Sequence, residues 1–270
     1  MVDEPYPLVT RGSSMRHSPA VWRELVVHLV LRHLRVKYQR SVLGFVWTLL
    51  NPLLTIGVLF GVFRFVIRLQ VADYWAFLLS GYFVWSFAQQ TLTAATTVLP
   101  EHAHLSRNLP LPGGALIVST ALSRLVEFLT EMLLVLVLLA VFHHHGVPPS
   151  FLWLPVLVVL QLTLVLGLTL GIATASTFFH DIQHAMPIGL MVLFYASPVF
   201  YPATLVPEIA RPFYAFNPFA GLLTLYHSAL YEGRAPDPWL VAATAAEIAL
   251  IAWIGHAVFR RYRALLPEIV

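Results

Sequence analysis

Cysteine is absent from all 270 residues, which excludes a disulfide framework, a thiolate metal site and a cysteine nucleophile. Lysine occurs once, at Lys37, within Lys37-Tyr38-Gln39 and not after a glycine-rich loop. The chain therefore carries no phosphate-binding loop, and any ATP it uses is expected to be hydrolysed by another polypeptide. Charge is scarce: Asp, Glu, Lys and Arg make up 11% of the residues, against about 25% in a soluble domain. Apolar residues make up 59%, and the mean hydropathy is +0.77. Sixteen basic and thirteen acidic side chains cannot cover a soluble body of this length, so the solvent for most of the chain is expected to be lipid. A net charge of +3, scattered along the chain, is too small for a nucleic-acid surface. No Gly-x-Ser-x-Gly or His-Glu-x-x-His pattern occurs, so no catalytic residue is expected and hydrolase chemistry lacks its usual groups.

Residues 1–20 carry prolines and mixed charges without a following apolar run, and read as a cytosolic lead-in, not a cleavable leader. From Val21 to Arg40, Arg23, Glu24, His28, Arg32, Arg35 and Gln39 recur at steps of three and four. Trp22, Leu25, Val26, Leu29, Val30 and Leu34 fill the other side. This is an amphipathic helix with a basic face, suited to the headgroup plane of an anionic leaflet. Six later stretches approach the roughly 20 apolar residues that a hydrocarbon core requires: 44–67, 74–98, 115–142, 151–177, 184–201 and 238–259. The sequence thus predicts an all-α integral membrane protein with six transmembrane helices after an N-terminal interface helix, divided as 1–43 and a single domain over 44–270. Twelve of the sixteen basic residues fall in the N-terminal segment, the 99–124 region or the tail. Arg64, Arg68, Arg211 and Arg234 face the other way. Both termini are accordingly expected in the cytosol, with the chain in the inner membrane.

Two connections are unusual. The cytosolic one, 99–114, holds Glu101, His102, His104, Arg107 and Asn108 ahead of Leu109-Pro110-Leu111-Pro112-Gly113-Gly114, enough for a short helix and a hard stop. The outer one, 198–237, is rich in both proline and aromatics. Its best apolar piece, Pro218 to Tyr231, is too short to cross and too apolar to float, and reads as a re-entrant helical hairpin. Arg124 and Glu127 are expected to pair near the cytosolic interface. Glu131 and Glu247 lie deeper, as interhelical hydrogen-bond partners or as a hydrophilic pore wall. His180, Asp181 and His184 have ligand-capable spacing, but one such pair is weak ground for a metal and none is expected. His143-His144-His145 reads as a solvated turn.

Trp47 and most other tryptophans fall near span ends, as an interfacial belt requires. The aromatics from Phe194 and Tyr195 through Phe200, Tyr201, Tyr214, Tyr226 and Tyr231 are too dense for a belt alone. Flat rings with polar tips suit the apolar face of a sugar, and Trp47, Tyr195, Phe200, Tyr201, Tyr214 and Tyr226 are the expected pore or glycan contacts.

The run Arg35-Val36-Lys37-Tyr38-Gln39-Arg40-Ser41-Val42-Leu43-Gly44-Phe45-Val46-Trp47, with Asn51-Pro52 after it, resembles the start of the first span in ABC type-2 permeases for polysaccharide export. So do Phe179-His180-Asp181-Ile182, Ser197-Pro198-Val199-Phe200-Tyr201-Pro202, Phe216-Asn217-Pro218 and the closing Pro267-Glu268-Ile269-Val270, in order over about 230 residues. In place of the family's Arg at the fourth cytosolic break stands His180. The resemblance implies two copies of the chain forming a pore for a lipid-linked polysaccharide. Two separate P-loop ATPase subunits would lie beneath them and hold ATP and Mg, with no cofactor on this chain itself. It also implies an interface or gate helix bearing Arg32, Arg35, Lys37, Tyr38 and Arg40 against membrane lipids. Glu101, His102, His104, Arg107 and Asn108 would form the ATPase-coupling segment. Two other readings of the residues remain open at this level: a proton-coupled transporter using Glu127, Glu131 and Glu247, and a membrane-embedded glycan- or lipid-modifying enzyme centred on Asp181.

Overall fold

A computed structural model describes residues 19–38, 46–101 and 113–265, and among these every regular element is helical. In chain order they are α1 (Pro19–Tyr38), α2 (Val46–Gly61, extended by a π turn Val62–Val66), α3 (Tyr74–Ala95) and the single turn α4 (Val98–Glu101). There follow α5 (Gly113–Leu138, with a π turn Leu139–His143), α6 (Leu154–Phe178, led by a 3-10 turn Pro149–Trp153) and α7 (Asp181–Tyr195). The chain ends with α8 (Arg211–Ala215), α9 (Pro218–Tyr226, with a π turn His227–Tyr231) and α10 (Pro238–Tyr262).

A helix occupies each of the six stretches expected to cross. Length and composition qualify four of them as membrane spans: 49–66, 113–143, 149–178 and 238–262. α3 is long enough, but Ser80, Ser86, Gln89 and Gln90 dilute its apolar character. α7 has 15 residues where the sequence suggested a helix running to 201, because the chain turns at 196–199 and Pro202 follows. The coarser expectation of an all-helical chain with several spans therefore holds.

The hub is α3, whose Tyr74, Phe77, Leu78, Phe83, Trp85 and Leu92 are buried among α2, α5, α6, α7 and α9. Ser80 and Ser86 are buried against these neighbours and Gln90 is half-buried, so α3 tolerates residues that a lipid-facing helix would not, while Gln89 is exposed. α6 and α10 approach so closely that a Cβ on Gly167 would lie 2.5 Å from Ala252 Cα, and one on Gly255 would collide with the Gly167 carbonyl. Small residues permit such backbone contact in a bilayer, where dispersion replaces hydrophobic driving force.

The apolar stripe expected along α1 packs on the bundle except at Trp22. Val26 and Leu29 are buried in a small core with Ala95, Val98, Leu99, Ala115, Leu116 and Ile117, fastening α1 to α5. Trp22, Val27, Leu31 and Val36 remain exposed.

The stretch 218–231 is helical and largely buried. Asn217 caps it: its side-chain oxygen accepts from Phe219 N–H at 3.0 Å, and its amide donates to Ala196 O (3.1 Å) and Ser197 Oγ (2.9 Å). At mid-helix the Tyr226 hydroxyl donates to Gln161 Oε1 (2.6 Å), and Gln161 donates to Val84 O (2.9 Å), so one buried network ties α9, α6 and α3. The triple histidine departs from the expected solvated turn. His143 and His144 are half-buried and bond to the carbonyls of Tyr231 and Leu230, because the end of α9 lies against them.

Candidate functional site

Polar and aromatic groups gather at two ends of the bundle. At the end where α1 lies, Lys37 Nζ donates to both carboxylate oxygens of Glu127 at 2.8 Å. Arg124 donates to Glu127 Oε2 at 2.9 Å and to Gln90 Oε1 at 3.3 Å. Glu127 is 5% exposed and Glu131, one turn further into α5, 2% exposed. The expected Arg124–Glu127 pair thus exists but has a second cation, supplied by α1. No periodicity links positions 37 and 127, so sequence reasoning missed it. Burying a carboxylate is costly unless it is paired and hydrogen-bonded, and two cations at bonding distance meet that condition.

This cluster lies between two cavities. One, of about 470 Å³, is bounded by Arg32, Lys37, Glu101, Arg124 and Glu127. The other, of about 890 Å³, runs along α2, α3 and α7 past Trp47, Asn51, Thr55, Tyr82, Ser86, Gln89, Gln90, Thr93, Gln183 and His184. The second offers amides and hydroxyls that exchange hydrogen bonds, with Lys37 and Arg124 of the cluster also on its lining. Of the expected interface residues, Arg32 and Lys37 face these cavities, Arg35 is exposed, and Tyr38 closes α1. Arg40 lies outside the described residues, as do His102, His104, Arg107 and Asn108. Glu101 ends α4. His180, Asp181 and His184 are exposed at the start of α7, and among the described residues no group of three or more His, Asp and Glu could hold a metal. Glu247 is half-buried on α10, away from the Glu127 cluster's cavities.

At the opposite end of α2 and α7 a cavity of about 720 Å³ gathers Tyr195, Phe200, Tyr201 and Tyr214 with Phe63, Leu69, Phe216 and Asn217. Phe200 sits at its centre, with ring centroids of Phe63 and Tyr201 at 4.9 Å, Phe194 at 5.3 Å and Tyr195 at 5.6 Å. The Tyr201 hydroxyl donates to Tyr195 O (2.9 Å), so the hydrogen bond between the Tyr201 and Tyr214 hydroxyls has Tyr214 as donor. Burial pushes the Tyr214 hydroxyl pKa up, the Tyr201 contact adds to the shift, and the phenol stays protonated. Two expected aromatics lie elsewhere: Trp47 lines the amide-rich cavity, and Tyr226 is fully buried in the Gln161 network. Phe63 and Leu69, at the end of α2, join the site across more than 120 residues of sequence.

The family model for the ABC-2 type transporter matches residues 24–231. The chain belongs to the ABC-2 transporter family. It is 32% identical over 251 residues to the O-antigen export system permease protein RfbA of Myxococcus xanthus, an alignment covering 92% of this chain and 95% of that one. It is 24% identical to a protein of the same name from Klebsiella pneumoniae (95% and 98% covered), and 22% identical to the polysialic acid transport protein KpsM of Escherichia coli (92% and 97% covered). The matched segment of this ABC-2 chain includes the Lys37–Glu127 cluster and both large cavities. Membership, with several apolar helices, makes it a multi-pass membrane protein, and the relatives are transport permeases rather than enzymes.

Proposed function

We propose that this chain is the membrane-spanning permease of an ABC exporter for a lipid-linked, O-antigen-like polysaccharide. Two copies would line the path, and two separate P-loop ATPase subunits with ATP and Mg would drive it from the cytosolic side of the inner membrane. The observation that carries this reading is the near full-length likeness to export permeases, together with the lack of any glycine-rich lysine loop on the chain itself. All six stretches cross in this reading. α3 does so because Ser80 and Ser86 are sheltered by neighbours and Gln89 and Gln90 border the amide-rich cavity. α7, about 22 Å at 1.5 Å per residue, does so with the turn at 196–199 completing the passage. Both termini are then cytosolic, the aromatic cavity lies on the outer side, and 218–231 is the re-entrant half-helix.

Each structural part has a role in such a machine. α1 lies along the cytosolic interface with membrane lipids against Trp22, Leu31 and Val36, and Lys37 couples its motion to α5 through Glu127. Closure of the ATPases is delivered near Glu101 and the segment with His102, His104, Arg107 and Asn108. Pro52 lets α2 bend, since proline removes one ladder bond and crowds the preceding turn. Amide and hydroxyl side chains along α3 pass a glycan by exchanging hydrogen bonds, and the tyrosine rings face its apolar surfaces at the exit.

Affinity purification of the intact protein with its membrane tests the proposal. A P-loop ATPase should co-purify, with its hydrolysis altered by the permease. Transport by the chain alone, abolished by a protonophore, would favour the proton-coupled alternative instead.

A further inference from the structure

The aromatic cavity of about 720 Å³ at the end of α2 and α7 has no charged side chain on its lining. Its polar side chains are Tyr195, Tyr201, Tyr214 and Asn217, and three of them are spent on the protein itself. The Tyr201 hydroxyl donates to Tyr195 O (2.9 Å) and accepts from Tyr214. The Asn217 amide donates to Ala196 O (3.1 Å) and Ser197 Oγ (2.9 Å), and its oxygen takes the Phe219 N–H. Tyr195, 60% exposed, stands at the rim, so the one phenol that the wall does not use faces outward. A sugar enclosed here would leave its hydroxyls without partners, which is costly, whereas a hydrocarbon chain has none to satisfy.

What fills this space follows from where it opens. Ile67, Leu205 and Phe216 line the cavity and are exposed, so its mouth is apolar. The outward faces of α2 (Val58, Val62, Phe65) and α7 (Ile188, Met191, Val192) are exposed as well, and the membrane span of α2 ends at 66. The mouth thus continues the lipid-wetted surface at the level where hydrocarbon meets headgroups. Apolar cavities exclude water and take up hydrocarbon, and lipid chains are the neighbours present in excess. Arg68 is a separate observation pointing the same way. It follows the span by two residues and stands in the chain between Ile67 and Leu69, which both line the cavity. Its backbone is left-handed (φ 59°), uncommon for a residue with a side chain, and Gln70 Nε2 donates to its carbonyl at 3.2 Å. Arg68 is exposed, and no carboxylate among the described residues pairs with it. A guanidinium at headgroup depth suits a lipid phosphate.

We propose that this cavity binds an acyl chain of an anionic phospholipid from the leaflet it faces, with Arg68 at the phosphate. The site rests on the proposed export function only in making that leaflet the outer one. It reserves the interior for hydrocarbon and leaves the glycan a place at the rim, where the ring and hydroxyl of Tyr195 are exposed.

Photolabelling of the full-length permease in phosphatidylcholine vesicles tests the site. Trace phosphatidylglycerol with a diazirine at the end of one acyl chain is irradiated, and labelled peptides are located by mass spectrometry. Label should concentrate on 193–218 over the lipid-facing stretch 54–61 of α2. There it should exceed, by about fivefold, the label from a phosphatidylcholine probe with the same chain, as one basic residue at an anionic headgroup implies. Arg68→Gln should abolish that preference and spare the phosphatidylcholine label. Leu205→Trp, at an exposed lining position, should fill the space and displace label from 193–218 while 54–61 stays labelled. Even labelling of the two stretches, equal labelling by the two probes, or a preference that survives Arg68→Gln overturns the assignment. So does displacement of the label by soluble maltoheptaose, which would make the interior a sugar site. Label that enters 193–218 only at one permease per vesicle would mark a face covered by a second copy, and overturns it too. Selective labelling in a permease that fails to export leaves the lipid site standing and removes the export reading alone.

Discussion

Glu127 is the residue on which α1, α3 and α5 converge, since it accepts from Lys37 and Arg124 while Arg124 also reaches Gln90. Glu127→Gln keeps the volume but leaves two cations facing an amide, and should destabilise the folded chain by about 1 to 3 kcal/mol. Lys37→Met leaves the Arg124 pair intact and should do less; thermal denaturation of the detergent-purified protein compares the two. Asn217 offers a second residue-scale test. Asn217→Ala removes one helix cap and two donated bonds and should lower stability by about 1 to 3 kcal/mol, whereas Asn217→Asp preserves the cap acceptor and should fall between. The sequence made the Arg124–Glu127 contact legible because residues three apart on a helix are neighbours. Lys37 was invisible as its third member, since nothing local encodes a contact over ninety positions. The same limit applies to Phe63 in the aromatic cavity. The tyrosines of 195–214, close in sequence, were recognisable as a group.

At the scale of helices, the α6–α10 contact depends on two glycines that meet backbone to backbone. Gly255→Leu should prevent this approach and abolish accumulation of folded protein. Gly57→Leu, whose Cβ meets nothing within 4 Å, should leave the single chain folded. Expression of fluorescent fusions followed by size-exclusion chromatography separates the outcomes. Apolar runs made these helices legible, since runs of that length and composition have few stable alternatives in lipid. Their ends were less legible. α7 stops at Tyr195 and three helices finish in π turns, features set by neighbouring elements rather than by propensity along the run. The apolar side of α1 was readable as a stripe, but the burial of Val26 and Leu29 on it, with Trp22 left exposed, arises only from docking on α5.

For the whole molecule, the scarcity of charge already pointed to a chain that lies mostly in lipid, and membership of the ABC-2 transporter family agrees with a multi-pass membrane protein. In the proposed exporter, Glu101→Arg is expected to leave ATP turnover by the proposed ATPase subunits largely intact while export falls at least about tenfold, a loss of about 1.4 kcal/mol or more in coupling. The central claim is tested most directly in sealed vesicles containing this permease and its co-purified ATPase, by following the transfer of a lipid-linked polysaccharide from the cytosolic to the outer leaflet. Transfer should require hydrolysable ATP and both proteins, and should persist with a protonophore present. Transfer without the ATPase, or dependence on a proton gradient in its place, would contradict the assignment.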